Sequence, residues 1–252
     1  MLLDCTLRDG GYHNDWKFSQ EILDDLIKFH LRYDDIAFEY GYLSLETQYP
    51  QIIWPDNKKV FAMINSKDGF TDEIIQKIID SNFFNGLRIA TNILHLNNVL
   101  DFIKKTRRNN IFTVLNLMRV SELNTANIDM VIDNLMRLDK NERPNVFCLA
   151  DSYGSLLVKD TQHIMKSFSV VKDLDIELGF HAHNDKGLAL ANTLEAISGG
   201  ASWYDGCWLG MGRRSGNAEL EDLIKKTGHE VDPIEMQNIL GHFAPLRKKY
   251  DW

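Results

Sequence analysis

Short β-branched and aromatic runs alternate with amphipathic helical stretches along the whole of this 252-residue chain. That alternation restricts the fold more than any other feature. Strand patterns are read at Leu2–Thr6, Asp35–Glu39, Lys59–Asn65, Gly86–Ala90, Ile111–Asn116, Asn145–Ala150, Ile176–Phe180 and Trp203–Trp208. Helical patterns lie between them. Ser19 precedes Ile22, Leu23, Leu26, Ile27 and His30 at helical spacing, and Thr71 is a candidate N-cap. Further helices fit Leu94–Thr106, Thr125–Leu138, Lys159–Val171, Gly187–Ile197 and Asn217–Lys226. Eight strand units, each followed by a helix, are the count of an α/β (β/α)8 TIM barrel. An open doubly wound sheet also alternates, but no GxGxxG turn follows the first strand. No linker or low-complexity tract interrupts the pattern, so residues 1–252 are expected to form a single barrel domain. Residues 232–252 then form a short helical tail, packed beneath the barrel or at a subunit contact.

A net charge of −8 argues against nucleic acid as a partner. The basic clusters Lys104-Lys105, Arg107-Arg108, Lys225-Lys226 and Arg247-Lys248-Lys249 read as solvated helix ends. No stretch approaches the roughly 20 apolar residues of a membrane helix, and the first residues enter a strand rather than a signal peptide. Cys5, Cys148 and Cys207 sit in apolar runs without CxxC spacing, which points to a reducing compartment and not to a disulfide frame or structural zinc site. A cytoplasmic location is expected.

In such barrels the chemistry lies where strands end and loops to the helices begin. His181 and His183 close the seventh strand pattern, and residues two apart on a strand share a face. Arg8 and Asp9 follow the first strand, Glu39 ends the second, and Asp151 follows the sixth. Arg88 and Asn116 are read as ending the fourth and fifth, and Asn217 as opening the helix after the eighth. Two imidazoles and a carboxylate suit a divalent cation with open positions. An isolated His-x-His more often caps loop carbonyls; joined to Arg8-Asp9 on one rim, the metal reading is favoured. Arg8 would supply a fixed cation for a developing oxyanion. The alternative for Arg8 is an ion pair inside the barrel, for example with Glu39, which would then orient Arg8 or help bind substrate.

Three ordered motifs, Asp4-Cys-Thr-Leu-Arg-Asp-Gly-Gly11, His181-Ala-His-Asn-Asp185 and Gly210-Met-Gly-Arg-Arg-Ser-Gly-Asn217, resemble the signatures of the DRE-TIM metallolyase superfamily. The resemblance runs from Leu3 to about Glu221 and is nearest to the catalytic domain of the 4-hydroxy-2-oxovalerate aldolase type. It implies Asp9, His181 and His183 as metal ligands, Asn217 as a ligand or near neighbour, Arg8 as the enolate-stabilising residue, and Mn²⁺ or Mg²⁺ as the expected ion. The family aldolases carry a histidine four residues after the arginine. Here Tyr12 stands there and His13 follows, so the base is either His13, the better base on chemical grounds, or Tyr12. Arg213 and Arg214 on the glycine-rich loop fit a carboxylate or phosphate, or a plain turn with exposed arginines. Arg213 replaces an acidic residue of the family synthases, which favours an extra negative group on the substrate. Asp151-Ser-Tyr-Gly154 is similar to a family segment that is structural or near substrate.

The expected activity is therefore a carbon–carbon lyase acting on a 4-hydroxy-2-oxo acid, its 2-oxo and carboxylate oxygens chelating the cation and an aldehyde leaving after C3–C4 cleavage. The partners are a small 2-oxo acid and an aldehyde, with no nucleic acid or membrane, and homo-oligomerisation or fusion to another domain stays open. The rivals are a Claisen-type synthase joining an acyl-CoA to a 2-oxo acid, an Fe²⁺ facial triad, and a non-catalytic barrel that assembles with a partner enzyme. The helical extension by which family aldolases dock a dehydrogenase is not recognised in the sequence.

Overall fold

The structure is a computed structural model that describes residues 1–44, 49–67 and 69–252. Eight parallel strands close into a barrel in sequence order: β1 (Leu2–Asp4), β2 (Ile36–Tyr42), β3 (Val60–Asn65), β4 (Gly86–Thr91), β5 (Phe112–Met118), β6 (Val146–Asp151), β7 (Glu177–Ala182) and β8 (Trp203–Gly206). Outside it lie α1 (Thr6–Gly10), α2 (Gln20–Arg32), α3 (Asp72–Ser81), α4 (Leu96–Arg108), α5 (Thr125–Met136), α6 (Val158–Ser167), α7 (Ala189–Ser198), α8 (Leu220–Thr227) and α9 (Pro233–Tyr250). The (β/α)8 expectation is borne out, and every strand expected from the sequence is present. No helix among the described residues is long and apolar enough to cross a membrane.

Three local expectations are corrected. A helix after every strand fails at β2: among the described residues none separates β2 from β3. An aromatic cluster covers that part of the barrel instead, in which Tyr40 and Tyr49 pack on Phe83 and Trp54 packs on Phe38 and Phe83. Thr71 precedes α3 but makes no side-chain capping bond, whereas Ser19 does cap α2 by accepting from the N–H of Ile22. Asn217 does not open a helix; α8 starts at Leu220, and Asn217 bridges back to His183.

The tail is helical as expected, but α9 runs beside the barrel, not beneath it. Near its start Glu235 meets Arg32 and Tyr33 at the end of α2. Past its end the Trp252 indole donates to the Leu209 carbonyl on the loop leaving β8. Phe243 is fully buried beneath the helix. The chain's last residues thereby reach the same rim as the strand ends. The basic clusters occupy the last turns of α4, α8 and α9, where cations complement the helix dipole.

Candidate metal centre

Local geometry at β1 sets the site. Asp4 ends the strand by turning its carboxylate back to accept the Thr6 N–H (2.8 Å), which starts α1 and raises Arg8 and Asp9 over the barrel mouth. Both are buried. Arg8 donates through Nε to Glu39 (2.8 Å) and through Nη1 to Asp9 (2.6 Å). The alternation of β7 sends His181 and His183 into the same space, with ring centroids 5.1 Å apart. The backbone N–H of His183 donates to the Asp151 carbonyl, and that of Asn184 to the Gly216 carbonyl, so this strand end is pinned from both sides.

Ligand atoms of Asp9, His181 and His183 all lie within 4.8 Å of one another. His183 Nε2 is 3.8 Å from Asp9 Oδ2, too far for a hydrogen bond, and His183 Nδ1 has no partner at all. Asn217 donates from Nδ2 to Asp9 Oδ2 (2.5 Å) while its buried Oδ1 is unpaired. It can do so because residue 212 is glycine: a Cβ there would stand 2.2 Å from Asn217 Nδ2. Buried polar atoms nearly always find partners, and here His183 Nδ1 and Asn217 Oδ1 go without one beside a cluster that could hold a cation.

Charge agrees with this. Burial pushes His183 down to about 4, against the opposing pull of Asp9, so its ring is neutral near pH 7. Burial would raise the Asp9 carboxyl, but the charge of Arg8, helped by Arg213, outweighs it and holds Asp9 well below the usual carboxylate range. One layer down, Arg88 donates to Glu39 (3.2 Å), Asp205 (2.7 Å) and Asn116 (3.2 Å). Formal charges of the buried Arg8, Arg88, Asp9, Glu39 and Asp205 sum to −1, two positive against three negative. Asp205 Oδ2 lies 3.1 Å from His181 Nδ1, a close approach without hydrogen-bond alignment; a carboxylate beside the far nitrogen is a common companion of imidazoles in metal sites. A second grouping, Cys5, His181 and Asp205, is also close enough for an ion. It is the poorer site, because burial and Cys207 keep the Cys5 thiol protonated and Asp205 is committed to Arg88.

The other candidate residues divide. Arg8, Tyr12, Asn116, His181, His183 and Arg213 line a small inner cavity of about 50 Å³ above the cluster. The Tyr12 hydroxyl shares a 2.8 Å hydrogen bond with that of Tyr42, and the Arg213 guanidinium lies 4.7 Å over the Tyr12 ring. His13 faces elsewhere: its Nε2 donates to the Gly212 carbonyl (2.6 Å) and its ring lies between Tyr250 and Trp252. Arg88 is not at the rim, because β4 continues to Thr91 and leaves it in the buried layer with Glu39, where Glu39 also orients Arg8. Asp151 turns away and accepts the N–H groups of Ser155 and Leu156, which shapes the loop after β6.

Tyr42 and Asp205 were missed for different reasons. Alternation puts residues 39 and 42 on opposite faces, but β2 carries a bulge between Glu39 and Gly41 that brings both inward. Asp205, between apolar neighbours in a short strand, could have been flagged as a barrel-facing carboxylate.

Residues 89–238 match the HMGL-like family. Over 244 residues the chain is 24% identical to an oxaloacetate decarboxylase of Mycobacterium tuberculosis, covering 91% of this chain and 71% of that one. Over 152 residues it is 32% identical to a 4-hydroxy-2-oxovalerate aldolase of Burkholderia thailandensis, covering 58% of this chain and 41% of the relative. Among solved structures, the N-terminal domain of a proposed aldolase from Bacteroides vulgatus superposes with a TM-score of 0.81 at 27% identity, covering all of this chain and 88% of that one.

Proposed function

The chain belongs to the HMGL-like family, and from that premise and the geometry of the rim we propose that it is a divalent-metal-dependent aldolase that cleaves, or forms, the C3–C4 bond of a 4-hydroxy-2-oxo acid. The observation that carries this reading is the gap between Asp9, His181 and His183, with unpaired buried lone pairs around it and Arg8 beside it. Those three side chains would hold Mn²⁺ or Mg²⁺, and the bound ion supplies Lewis-acid polarisation of the substrate's 2-oxo group. Asn217 holds Asp9 in place, and Asp205 stands beside His181.

Arg8 is fixed by Glu39 and Asp9 before substrate arrives, so its charge meets the pyruvyl oxyanion without reorganisation as the C3–C4 bond breaks. The 4-hydroxyl must lose its proton in the same event. Of the two candidates near Arg8, Tyr12 reaches the cavity and His13 does not, so we assign proton transfer to a relay in which the Tyr12–Tyr42 hydroxyl pair accepts the proton and passes one on to water, burial keeping Tyr42 protonated throughout. Cleavage releases the aldehyde and leaves pyruvate after protonation at C3.

A decarboxylase reading has the similarity over 91% of the chain in its favour, since loss of CO₂ from oxaloacetate leaves the same pyruvyl carbanion. It does not account for the space of about 400 Å³ that adjoins the inner cavity and shares Tyr12 and Arg213 with it, which a leaving CO₂ does not need. Incubation with Mn²⁺ and a 4-hydroxy-2-oxo acid tests the proposal. Equal amounts of pyruvate and aldehyde, abolished by chelator, are expected. Pyruvate release indifferent to chelator, or turnover of oxaloacetate alone, overturns it.

A further inference from the structure

The inner cavity opens into an outer chamber of about 400 Å³, within the range of small-molecule sites. Tyr12, Asn65, Met118, Ser152 and Arg213 line both spaces, so a ligand seated on the inner cluster extends outward. The wall of the outer chamber has an unusual composition. Lys67, Arg119, Arg213 and Arg214 all line it, and its described lining includes no carboxylate. On a chain of net charge −8 four cations around one concavity are a local inversion of the molecule's field, the arrangement that concentrates anions.

The cations are also held in place. Arg119 and Arg214 lie 5.7 and 5.8 Å from the ring of Tyr153, and Arg213 lies over Tyr12. Arg119 and Arg214 both take the left-handed backbone conformation (φ 61° and 59°), which side chains rarely adopt and which clusters where function demands it. The Arg119 N–H donates to Ser152 Oγ (3.0 Å), which fixes that turn. Arg214 is shared with Asp185 (2.9 Å), and the Nε of Arg213, which makes no hydrogen bond, faces Asp9 Oδ1 at 3.6 Å. Solvated arginines in a plain turn need none of these supports.

We infer that the outer chamber binds a second anionic group of the substrate, a phosphate ester or a carboxylate, through Arg119, Arg213, Arg214 and Lys67. This rests on the aldolase reading and names its substrate class: a 4-hydroxy-2-oxo acid whose aldehyde half carries its own negative charge. Guanidinium groups match such oxyanions with paired donors.

Two measurements separate this inference from the reading beneath it. Aldol addition of pyruvate is assayed with glyceraldehyde, glyceraldehyde 3-phosphate and glyoxylate as acceptors, and inorganic phosphate and acetate are titrated into metal-free protein by calorimetry. We expect kcat/KM for an anionic acceptor at least tenfold above that for glyceraldehyde, falling steeply with salt, and the preferred acceptor identifies the anion as phosphate or carboxylate. Arg119→Gln and Lys67→Gln should each lower the ratio of anionic to neutral kcat/KM, and the double variant should weaken anion binding by metal-free protein. Equal use of charged and neutral acceptors, with no anion binding, overturns the inference while leaving the aldolase reading intact. No addition to any acceptor, with anion binding retained and lost in the double variant, overturns the aldolase reading and leaves the anion site standing.

Discussion

Two buried histidines of this protein have the same electrostatic fate and opposite surroundings. Burial lowers both His30 and His183 to about 4. His30, on α2, has both ring nitrogens engaged: Nε2 donates to Asp4 (3.0 Å) and Nδ1 accepts from Lys58 (3.1 Å). Asp4 in turn accepts from Thr6 and the Trp208 indole, and Lys58 donates to the carbonyls of Tyr33 and Ile36. His183, at the barrel mouth, has an unpartnered Nδ1 and a nearest carboxylate 3.8 Å from Nε2. A satisfied polar network specifies and stabilises a fold, while an unsatisfied one in a native protein waits for a partner. Perturbed titration alone does not separate the two; the state of the hydrogen bonds does.

The contrast is sharpest in paired alanine variants. His183→Ala should reduce metal-dependent pyruvate release to the background without metal, because the ion's Lewis-acid contribution is lost with its ligand, and cost about 2 kcal/mol of metal-free stability through lost packing. His30→Ala should do the reverse. It takes one hydrogen-bond partner each from buried Asp4 and Lys58, at a cost of roughly 3–5 kcal/mol for two bonds to ionisable groups, and keeps turnover of the folded enzyme within about tenfold. Urea melts and initial rates on the two variants check both. Similar stability losses would erase the distinction.

A smaller effect follows from pH. Unfolded histidines titrate near 6.5, so between pH 6.5 and about 4 the unfolded chain binds protons that folded His30 and His183 do not. Stability of the metal-free protein therefore falls as pH drops through that window, by up to about 3 kcal/mol for each ring. Glu221 opposes this, because burial raises it to about 7 and it takes up its proton in the folded state first. The thermal midpoint measured from pH 7 to 4 should decline, and less steeply in His30→Ala. A midpoint that rises on acidification breaks the assignment of neutral buried rings. Least of all, Tyr42→Phe should cost about 1 kcal/mol by removing the hydroxyl partner of Tyr12, read from the same melts.

The amino-acid pattern carried the barrel and the cluster because both rest on local rules. Strand alternation puts His181 and His183 on one face, and strand ends put Arg8 and Asp9 at the mouth. What it could not carry depends on departures from those rules. The bulge at β2 brought Tyr42 inward, the longer β4 sank Arg88 a layer below the rim, and a tail that climbs the barrel wall turned His13 toward Trp252. Asp151 was drawn off by two backbone N–H groups of its own loop. Nor do Lys67 and Arg119 belong to any motif; only the closed barrel sets them opposite Arg213 and Arg214.

Calorimetric titration of chelator-treated protein with Mn²⁺ tests the central claim directly, in wild type, His183→Ala and His30→Ala. One ion per chain should bind to wild type and to His30→Ala, with a midpoint shift that stabilises by about 2.7 kcal/mol at a hundredfold excess over Kd, and His183→Ala should bind none. Equal binding by His183→Ala, or no binding by wild type, would contradict a cation held between Asp9, His181 and His183.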